Sequence, residues 1–309
     1  MKSGVGAMSM NLSSNSPDWP PLPFAEWENT YDTLHMWTQI VGKTRMAREP
    51  LVNHWWNVTL YVTPVGLTTS SVPYGNQTFE IEFDLVSHRL RMVTSHGREY
   101  IMCLYARSVA DFFSEYMSAL RSLGIEIHIN PVPAEFDDTT PYDQDQHHAS
   151  YDKQYVERLR RILIQCDRVF KKFRTRFLGK CSPVHLFWGS FDLAVTRFSG
   201  RRAPEQPNAD SMTREGYSHE AISCGFWPGD RRFKYPAFYA YTAPRPPGLA
   251  DEPVRPRGAY WDTQLGEFIL KYDDVLADAS PEAAILDFCQ STYEAGAKLA
   301  KWDRASLER

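Results

Sequence analysis

The chain has 309 residues, a net charge of −4 and a hydrophobic content of 43%, which suit a soluble protein with a substantial buried core. The slight negative charge does not favour nucleic acid as a partner, and no apolar run reaches the roughly 18 residues of a membrane span. Five dispersed cysteines without a CxxC pair, and an N-terminus without a signal-peptide core, predict a cytoplasmic protein.

The first predicted elements are a tail, a helix and a strand. Residues 1–18 are predicted to be disordered, and apolar residues at helical spacing predict a helix over residues 25–48. The Trp-, Val- and Thr-rich segment at residues 51–63 predicts a strand. The strict alternation of FEIEFDL at residues 79–85 predicts a half-buried antiparallel strand with one wet face.

The remaining elements of the first half are two strands, a helix and a short strand. We predict them at residues 89–94, 99–104, 109–123 and 125–129. Ser108 with Asp111 forms a capping box for the helix, and Gly124 ends it. The Pro- and Asp-rich residues 131–150 are predicted to be a linker.

The second half is predicted to repeat this order. A long helix ended by Gly179 is followed by a strand-like segment, further antiparallel strands and a final helix that Ser280 caps. We predict these elements near residues 153–178, 182–201, 220–227, 236–243, 266–271 and 281–301.

Both halves therefore have the order helix, antiparallel strands, helix. This order predicts an α+β fold of two similar halves, residues 19–130 and 151–309. Aligning Val52 with Val184 also aligns Trp56 with Trp188. The match suggests a pseudo-twofold internal duplication with a ligand cleft between the halves.

Several long segments resemble a known family. They are WPPLPFAEWENTYDTLHMWTQIVGK (19–43), PLVNHWW (50–56), GKCSPVHLFWGSFDLAVTRFSGR (179–201), YSHE (217–220), GFWPG (225–229) and FYAY (238–241). On these residues the chain resembles the bacterial family catalogued as domain of unknown function 5996 (DUF5996). The resemblance implies a bacterial, cytosolic protein and carries over no catalytic residues.

Four residues are candidates for acid/base or metal-assisted chemistry: His185, Asp192, His219 and Glu220. Histidines beside carboxylates can exchange protons with a substrate or bind a transition metal. Their spacing matches no metal motif, and we assign no metal ligands. In a regular strand His185 and Asp192 would face opposite sides unless the chain bends at Gly189. The alternative is that both histidines are hydrogen-bonded structural residues.

The candidates for substrate binding are two arginines, a serine and two tryptophans. Arg197, Ser199 and Arg201 predict a seat for a carboxylate or phosphate, because guanidinium groups bind such anions with two parallel hydrogen bonds. Trp56 and Trp188 would lie beside the cleft if the halves face each other. The alternatives are a solvated surface turn for the arginines and core packing for the aromatic side chains.

The predicted helix at residues 153–178 and the two residues after it contain ten lysines or arginines. Such a face is able to contact nucleic acid or an acidic partner. The alternative is a solvated face whose charges pair internally, with the acidic residues of the upstream segment 135–145 as one source of partners.

The leading hypothesis is an enzyme that acts on a small anionic metabolite between the halves by acid/base or metal-assisted chemistry. One alternative is a non-catalytic module that binds a small ligand or another protein, and a weaker one is nucleic-acid binding through the basic helix. The sequence identifies no cofactor and does not determine the oligomeric state.

Overall fold

The computed structural model describes residues 18–309, so the predicted tail, apart from Asp18, lies outside the described residues. Helices accompany two antiparallel sheets, each with six strands. The predicted α+β class is therefore confirmed. Within residues 18–309 no helix is long and apolar enough to cross a membrane.

The first sheet is flanked in sequence by two helices. Helix α1 spans Glu28–Arg48, and helix α2 spans Val109–Ser122 with the predicted Ser108 cap on the Asp111 amide. The strands between them are β1 (Tyr61–Val62), β2 (Gly66–Thr68), β3 (Val72–Tyr74), β4 (Gln77–Asp84), β5 (Arg89–Thr94) and β6 (Glu99–Cys103). Their order in the sheet is β1-β2-β4-β5-β6, and β3 pairs with β4.

The second sheet begins after a long helix and ends before another. The elements are α3 (Lys153–Arg174), β7 (His185–Phe187), β8 (Asp192–Arg202), α4 (Ser211–Gly216), β9 (His219–Trp227), β10 (Ala237–Ala243), β11 (Tyr260–Asp262), β12 (Glu267–Lys271), α5 (Tyr272–Ala277), α6 (Pro281–Leu299) and α7 (Arg304–Leu307). The strand order is β11-β12-β10-β9-β8-β7. The predicted cap of the last long helix is confirmed, because the Ser280 side chain accepts a hydrogen bond from the Ala283 amide.

The strand predicted at residues 51–63 is wrong for most of its length. Asn53–Trp55 form a 3₁₀ turn, and only Tyr61–Val62 lie in a strand. The backbone turns because φ is 59° at His54 and 58° at Trp55, both outside the extended region. This turn packs against α4, so tertiary contacts override the strand preference of Trp and Val.

The short strand predicted at residues 125–129 is also wrong. Ile125 and Ile129 are buried while Glu126 and His128 are exposed, which explains the strand-like alternation. Within residues 18–309, however, no neighbouring strand pairs with this segment, and the Glu126 amide donates instead to the Tyr74 hydroxyl. The alternation of apolar and polar residues indicates which side of the chain is buried, and it does not require that the chain pair with a neighbouring strand.

The two sheets meet at their edges. Leu60, next to β1, and Leu186 of β7 exchange two backbone hydrogen bonds of 2.9 Å. Buried apolar side chains from both halves form one continuous core. The edges of the two sheets at β1 and β7 are therefore covered by each other and are not open to solvent.

Helix α1 is buried on all sides, and every side chain from Thr30 to Arg45 is inaccessible. Several of its polar residues bond to residues 130–150, a stretch that contains no helix or strand. The Gln39 amide both donates to and accepts from the backbone of Ala134, and Lys43 donates to the carbonyl of Asn130. The segment 131–150 is thus packed against α1 along its length.

Candidate functional site

The segment that contains most predicted site residues is a hairpin rather than one strand. β7 pairs with β8 so that Phe187 lies opposite Asp192 and His185 opposite Ala194. The turn between them, residues 188–191, contains Gly189. Because opposed residues share a face of a sheet, His185 and Asp192 lie on the same side. The bend that the sequence required at Gly189 is present as a full reversal of the chain.

The second sheet has one face covered by helices and one that carries polar side chains. On the covered face, Phe238 of β10 packs against Phe170 of α3 with ring centroids 6.3 Å apart. We call the opposite side the polar face; its polar residues are Asp192, Thr196, Ser223, Tyr239, Tyr241 and Glu267. Small residues occupy the positions between them, namely Ala194, Ala221 and Gly225. The space above Gly225 is filled by the ring of Tyr239.

Asp192 lies at the centre of the polar face and is only 7% exposed. Its carboxylate accepts hydrogen bonds from the hydroxyls of Ser190 and Tyr239. Tyr239 is two strands away, and its ring crosses Gly225 of β9 to reach the carboxylate. Burial raises the pKa of Asp192, and the two hydrogen bonds offset part of that rise. The pKa of this buried carboxyl group therefore lies above its ordinary value.

Two more carboxyl groups lie close enough to interact with Asp192. Burial raises the pKa of Glu135 and of Glu267, and the charge of Asp192 raises both further; Glu267 reaches about 7. Among residues 18–309, no lysine or arginine forms an ion pair with any of these three carboxyl groups. Raised carboxyl pKa values without a cationic partner are typical of groups that act as general acids.

The backbone around Asp192 is held in an unusual conformation. Phe191 has φ of 57° and Glu135 has φ of 52°, values that side-chain-bearing residues rarely adopt. The Phe191 ring stacks on His35 of α1 with centroids 5.1 Å apart, and Nε2 of His35 lies 2.9 Å from the carbonyls of Trp188 and Gly189. Burial lowers the pKa of His35 to about 4, so a neutral imidazole holds the turn. Backbone strain of this kind is common at functional sites.

A second polar group lies near β7 and the turn at residues 53–55. Nε2 of His54 lies 2.8 Å from Nζ of Lys180, which sits 5.2 Å from the centre of the Trp56 ring. The ring of His219 is 5.6 Å from that of His54, and the ring of His185 is 5.5 Å from that of Trp56. Burial lowers the pKa of His185 to about 3, with Arg45 and Arg174 acting in the same direction.

The two arginines predicted to seat an anion lie apart from the polar face. Arg197 points to the helix-covered face, where it donates to the Phe173 carbonyl and stacks 3.5 Å from the centre of that ring. Arg201 forms hydrogen bonds of 3.0 and 2.7 Å to Glu220. The Ser199 hydroxyl accepts a hydrogen bond from the Arg201 amide in the irregular last residues of β8. These guanidinium groups already have partners and do not converge on one position.

The structure thus distributes the nine predicted site residues over five environments. Asp192 and His185 share the polar face, and Trp56 and His219 lie beside His54. Trp188 is buried, where its Nε1 donates to the Val58 carbonyl and its ring packs against Gly42. Arg197 is buried on the helix-covered face of the second sheet. The remaining residues, Ser199, Arg201 and Glu220, lie at the irregular end of the β8–β9 pair.

Several residues of the site were missed at the sequence level. The segment AFYAYTA at residues 237–243 contained the relevant signal, since Tyr239 and Tyr241 alternate with residues that are buried under the helices. Glu267 follows the same alternation on β12, and Glu135 belongs to the acidic segment 135–145. The proximity of Tyr239 and Glu267 to Asp192 depends on sheet register, and that of Glu135 depends on how residues 131–150 pack; the sequence gives neither.

The charges of α3 are largely paired within the protein. Arg160 and Arg161 contact Glu157, and Lys171 contacts Asp167. Arg168 and Lys172 both reach Glu282 of α6 rather than the acidic residues upstream of the helix. Across residues 18–309, no three His, Cys, Asp or Glu side chains are arranged to hold a metal ion.

The fold and the site define an α+β protein whose second sheet carries a carboxylate–tyrosine group on one face. The chain matches the model of the family of unknown function DUF5996 over residues 19–309 and belongs to that family. No match was found among curated proteins or among solved structures.

Proposed function

We propose that the polar face of the second sheet binds a small hydroxylated or amine-bearing compound and that Asp192 exchanges a proton with it. The observation that carries this function is the hydrogen bond from Tyr239 to the buried Asp192 across Gly225. A carboxyl group in that setting holds its proton at higher pH than usual and can return it to a substrate.

The chemistry around Asp192 supports a ligand that is neutral or positively charged. Glu135 and Glu267 surround the same space, and the hydroxyls of Tyr217 and Tyr241, 3.3 Å apart, lie beside it. Carboxylates and phenols accept hydrogen bonds from hydroxyl and ammonium groups. An anionic ligand is less favoured here because these carboxyl groups would repel it.

A non-catalytic binding module is the second candidate. The rings of Tyr239 and Tyr241 are parallel, with centroids 6.2 Å apart, and both are partly exposed. Such a pair offers a flat surface for a ligand even without proton transfer. A cytoplasmic setting is part of either proposal and is supported by five cysteines that form no disulfide.

The pairing of Leu60 with Leu186 supports the internal duplication, because the first strands of the two halves would meet across a pseudo-twofold axis there. On this basis Trp56 and Trp188 would not be equivalent, since Trp56 precedes β1 and Trp188 follows β7. The ligand would then bind on one sheet, with Glu135 from the connecting segment at the rim, rather than symmetrically between the halves.

The test is a thermal-shift screen with small amines, polyols and carboxylic acids on the wild type and on Asp192→Asn, with Glu82→Gln on the first sheet as control. We expect amines or polyols to stabilise the wild type and the control, and Asp192→Asn to lose that stabilisation. Stabilisation by carboxylic acids alone, or an equal response of Asp192→Asn, would contradict the proposed site.

The same compounds separate catalysis from binding. Each stabilising compound is incubated with the protein and followed by NMR. For an enzyme, we expect the wild type to convert the compound, Tyr239→Phe to convert it more slowly and Asp192→Asn not to convert it. Unchanged compounds with retained binding would identify the non-catalytic module.

A further inference from the structure

Lys180 and His54 form a hydrogen-bonded pair beside Phe198, six residues along β8 from Asp192. Nδ1 of His54 lies 2.9 Å from the carbonyl of Gly216, which can only accept, so Nδ1 carries the proton. Nε2 therefore presents its lone pair, and Nζ of Lys180 donates to it at 2.8 Å. The order amine, imidazole, carbonyl is that of a nucleophile, its base and the group that orients the base.

The partner of Lys180 differs from the partners of other lysines. Lys171, Lys172 and Lys298 contact carboxylates, and Lys43 contacts backbone carbonyls. Carboxylates stabilise the ammonium, and carbonyls cannot take its proton. An imidazole nitrogen can take it. Among residues 18–309, no ion pair includes Lys180.

The surroundings of the pair expose the amine and shield the base. Lys180 is exposed, whereas His54 is only 5% exposed. The centres of the Trp56 and Phe198 rings lie 5.2 and 5.0 Å from Nζ. Burial lowers the pKa of Lys180, although Glu215 acts in the opposite direction, and burial also lowers the pKa of His54. A ligand thus reaches the amine beside the partly exposed ring of Trp56, while Phe198 is buried beneath the pair.

The backbone holds the imidazole in place at a cost in strain. His54 and Trp55 both have positive φ, and the His54 amide lies 3.2 Å from the Glu215 carboxylate. Two consecutive residues of this kind persist only where the surrounding contacts determine them. The contacts here come from the end of α4, which also supplies the Gly216 carbonyl.

We propose that Lys180, with His54 as its base, is a site of covalent reaction with small aldehydes or ketones, and that it forms an imine there. This site is separate from the Asp192 group, because it lies beside Phe198 further along β8, and it goes beyond the function proposed for that group. The partly exposed ring of Trp56 favours a carbonyl compound with an unsaturated or aromatic body.

The reaction needs no oxidant or reductant. The Lys180 ammonium passes a proton to Nε2 of His54, and the neutral amine attacks the carbonyl carbon while the π electrons move to oxygen. Proton transfer through His54 gives a carbinolamine. The imidazolium then protonates its hydroxyl, and water leaves as the nitrogen lone pair forms the C=N bond. The products are a protonated imine and one water.

The test traps the imine with benzaldehyde and sodium cyanoborohydride on the full chain, and peptide mass spectrometry measures the rate at each lysine. We expect Lys180 to be labelled several-fold faster at neutral pH than the ion-paired Lys171, because Nε2 of His54 can take a proton from Lys180 whereas the Asp167 carboxylate stabilises the Lys171 ammonium.

Two variants show whether the reactivity of Lys180 depends on His54 or only on the exposure of the amine. His54→Asn retains a residue that tolerates positive φ but removes the proton acceptor, and we expect it to bring Lys180 down to the rate of Lys171. Lys171→Arg is the control and should leave Lys180 unchanged. Equal rates at Lys180 and Lys171 in the wild type would overturn the proposed site whether or not His54→Asn folds.

Discussion

The ring of Tyr239 occupies the space that a side chain at position 225 would need. A Cβ on Gly225 would lie 2.5 Å from the Tyr239 hydroxyl oxygen, and this vacancy is what allows the phenol to reach Asp192 two strands away. Position 225 therefore requires glycine because it has no side chain, and not because of its backbone conformation.

We expect Gly225→Ala to displace the Tyr239 ring and to destabilise the protein by about 1–3 kcal/mol, the range for overpacking a filled space. Urea unfolding gives the value, with Gly216→Ala as control because a Cβ there meets nothing within 4 Å. In a Tyr239→Leu background the penalty should shrink, since the ring that is displaced is no longer present. An unchanged penalty would show that Tyr239 is not the group that requires the glycine.

Glu267 should make stability depend on pH. Its pKa is about 7 in the folded protein, first because of burial and then because of Asp192, whereas an unfolded glutamate titrates near 4.5. The folded state therefore binds more protons between these values, and stability falls as pH rises through that window. We expect Glu267→Gln to remove this fall and to stabilise the protein by roughly 1–3 kcal/mol above neutral pH. Urea unfolding across that range measures it, and parallel pH profiles for both proteins would refute the assignment.

Arg197 is expected to act in stability rather than in ligand binding. Its guanidinium is buried against the rings of Phe173 and Tyr293, at 3.5 and 4.4 Å, and donates to a carbonyl. Arg197→Lys should cost about 2 kcal/mol or more, because an ammonium lacks the planar shape that stacks on these rings. Arg201→Lys, on the surface, should cost less than about 1 kcal/mol.

Thermal unfolding compares the two arginine variants, and the ligand screen then reports on function. If Arg197 has only this structural role, folded Arg197→Lys should respond to ligands as the wild type does. If folded Arg197→Lys selectively loses its response to ligands, Arg197 is a binding residue, as the sequence predicts.

His148 should stabilise the fold at mildly acidic pH. Burial alone would lower its pKa, but the Asp145 carboxylate, 2.8 Å from Nδ1, outweighs burial and raises it. The stabilisation is therefore complete below the unfolded histidine pKa near 6.5 and is lost as pH rises through the higher folded value. We expect His148→Gln to remove about 1 kcal/mol at acidic pH and less above neutrality.

The control for this variant is the exposed neighbour His147. Urea unfolding of His147→Gln should follow the wild-type pH profile, because this ring makes no hydrogen bond to Asp145 through its side chain. A His148→Gln loss that is equal at all pH values would instead indicate packing as the source of the effect.

Local patterns in the sequence were sufficient for the regular elements. The apolar stripe of α3, including Leu159 and Phe170, is buried as its spacing predicts, and β4 alternates as FEIEFDL does. The caps at Ser108 and Ser280 also follow from a few consecutive residues. These features depend on interactions within one element, so periodicity is enough to reveal them.

The polarity of α1 illustrates where periodicity fails. Its aromatic residues predicted a helix correctly, but His35 and Gln39 are buried as well, because residues 131–150 and the turn at 188–191 cover the other side. A helix that is buried all round has no single apolar stripe. The sequence of α1 alone contains no information about these distant partners.

Amino-acid order by itself determined the α+β class, the positions of most helices and strands, and the concentration of polar residues between positions 182 and 201. Only the tertiary structure decided which of those residues meet. Asp192 acts with Tyr239 because three strands align, and Lys180 meets His54 because a strained turn packs against α4. Such partnerships join residues far apart in the chain, and their geometry is set by register and packing rather than by local propensity.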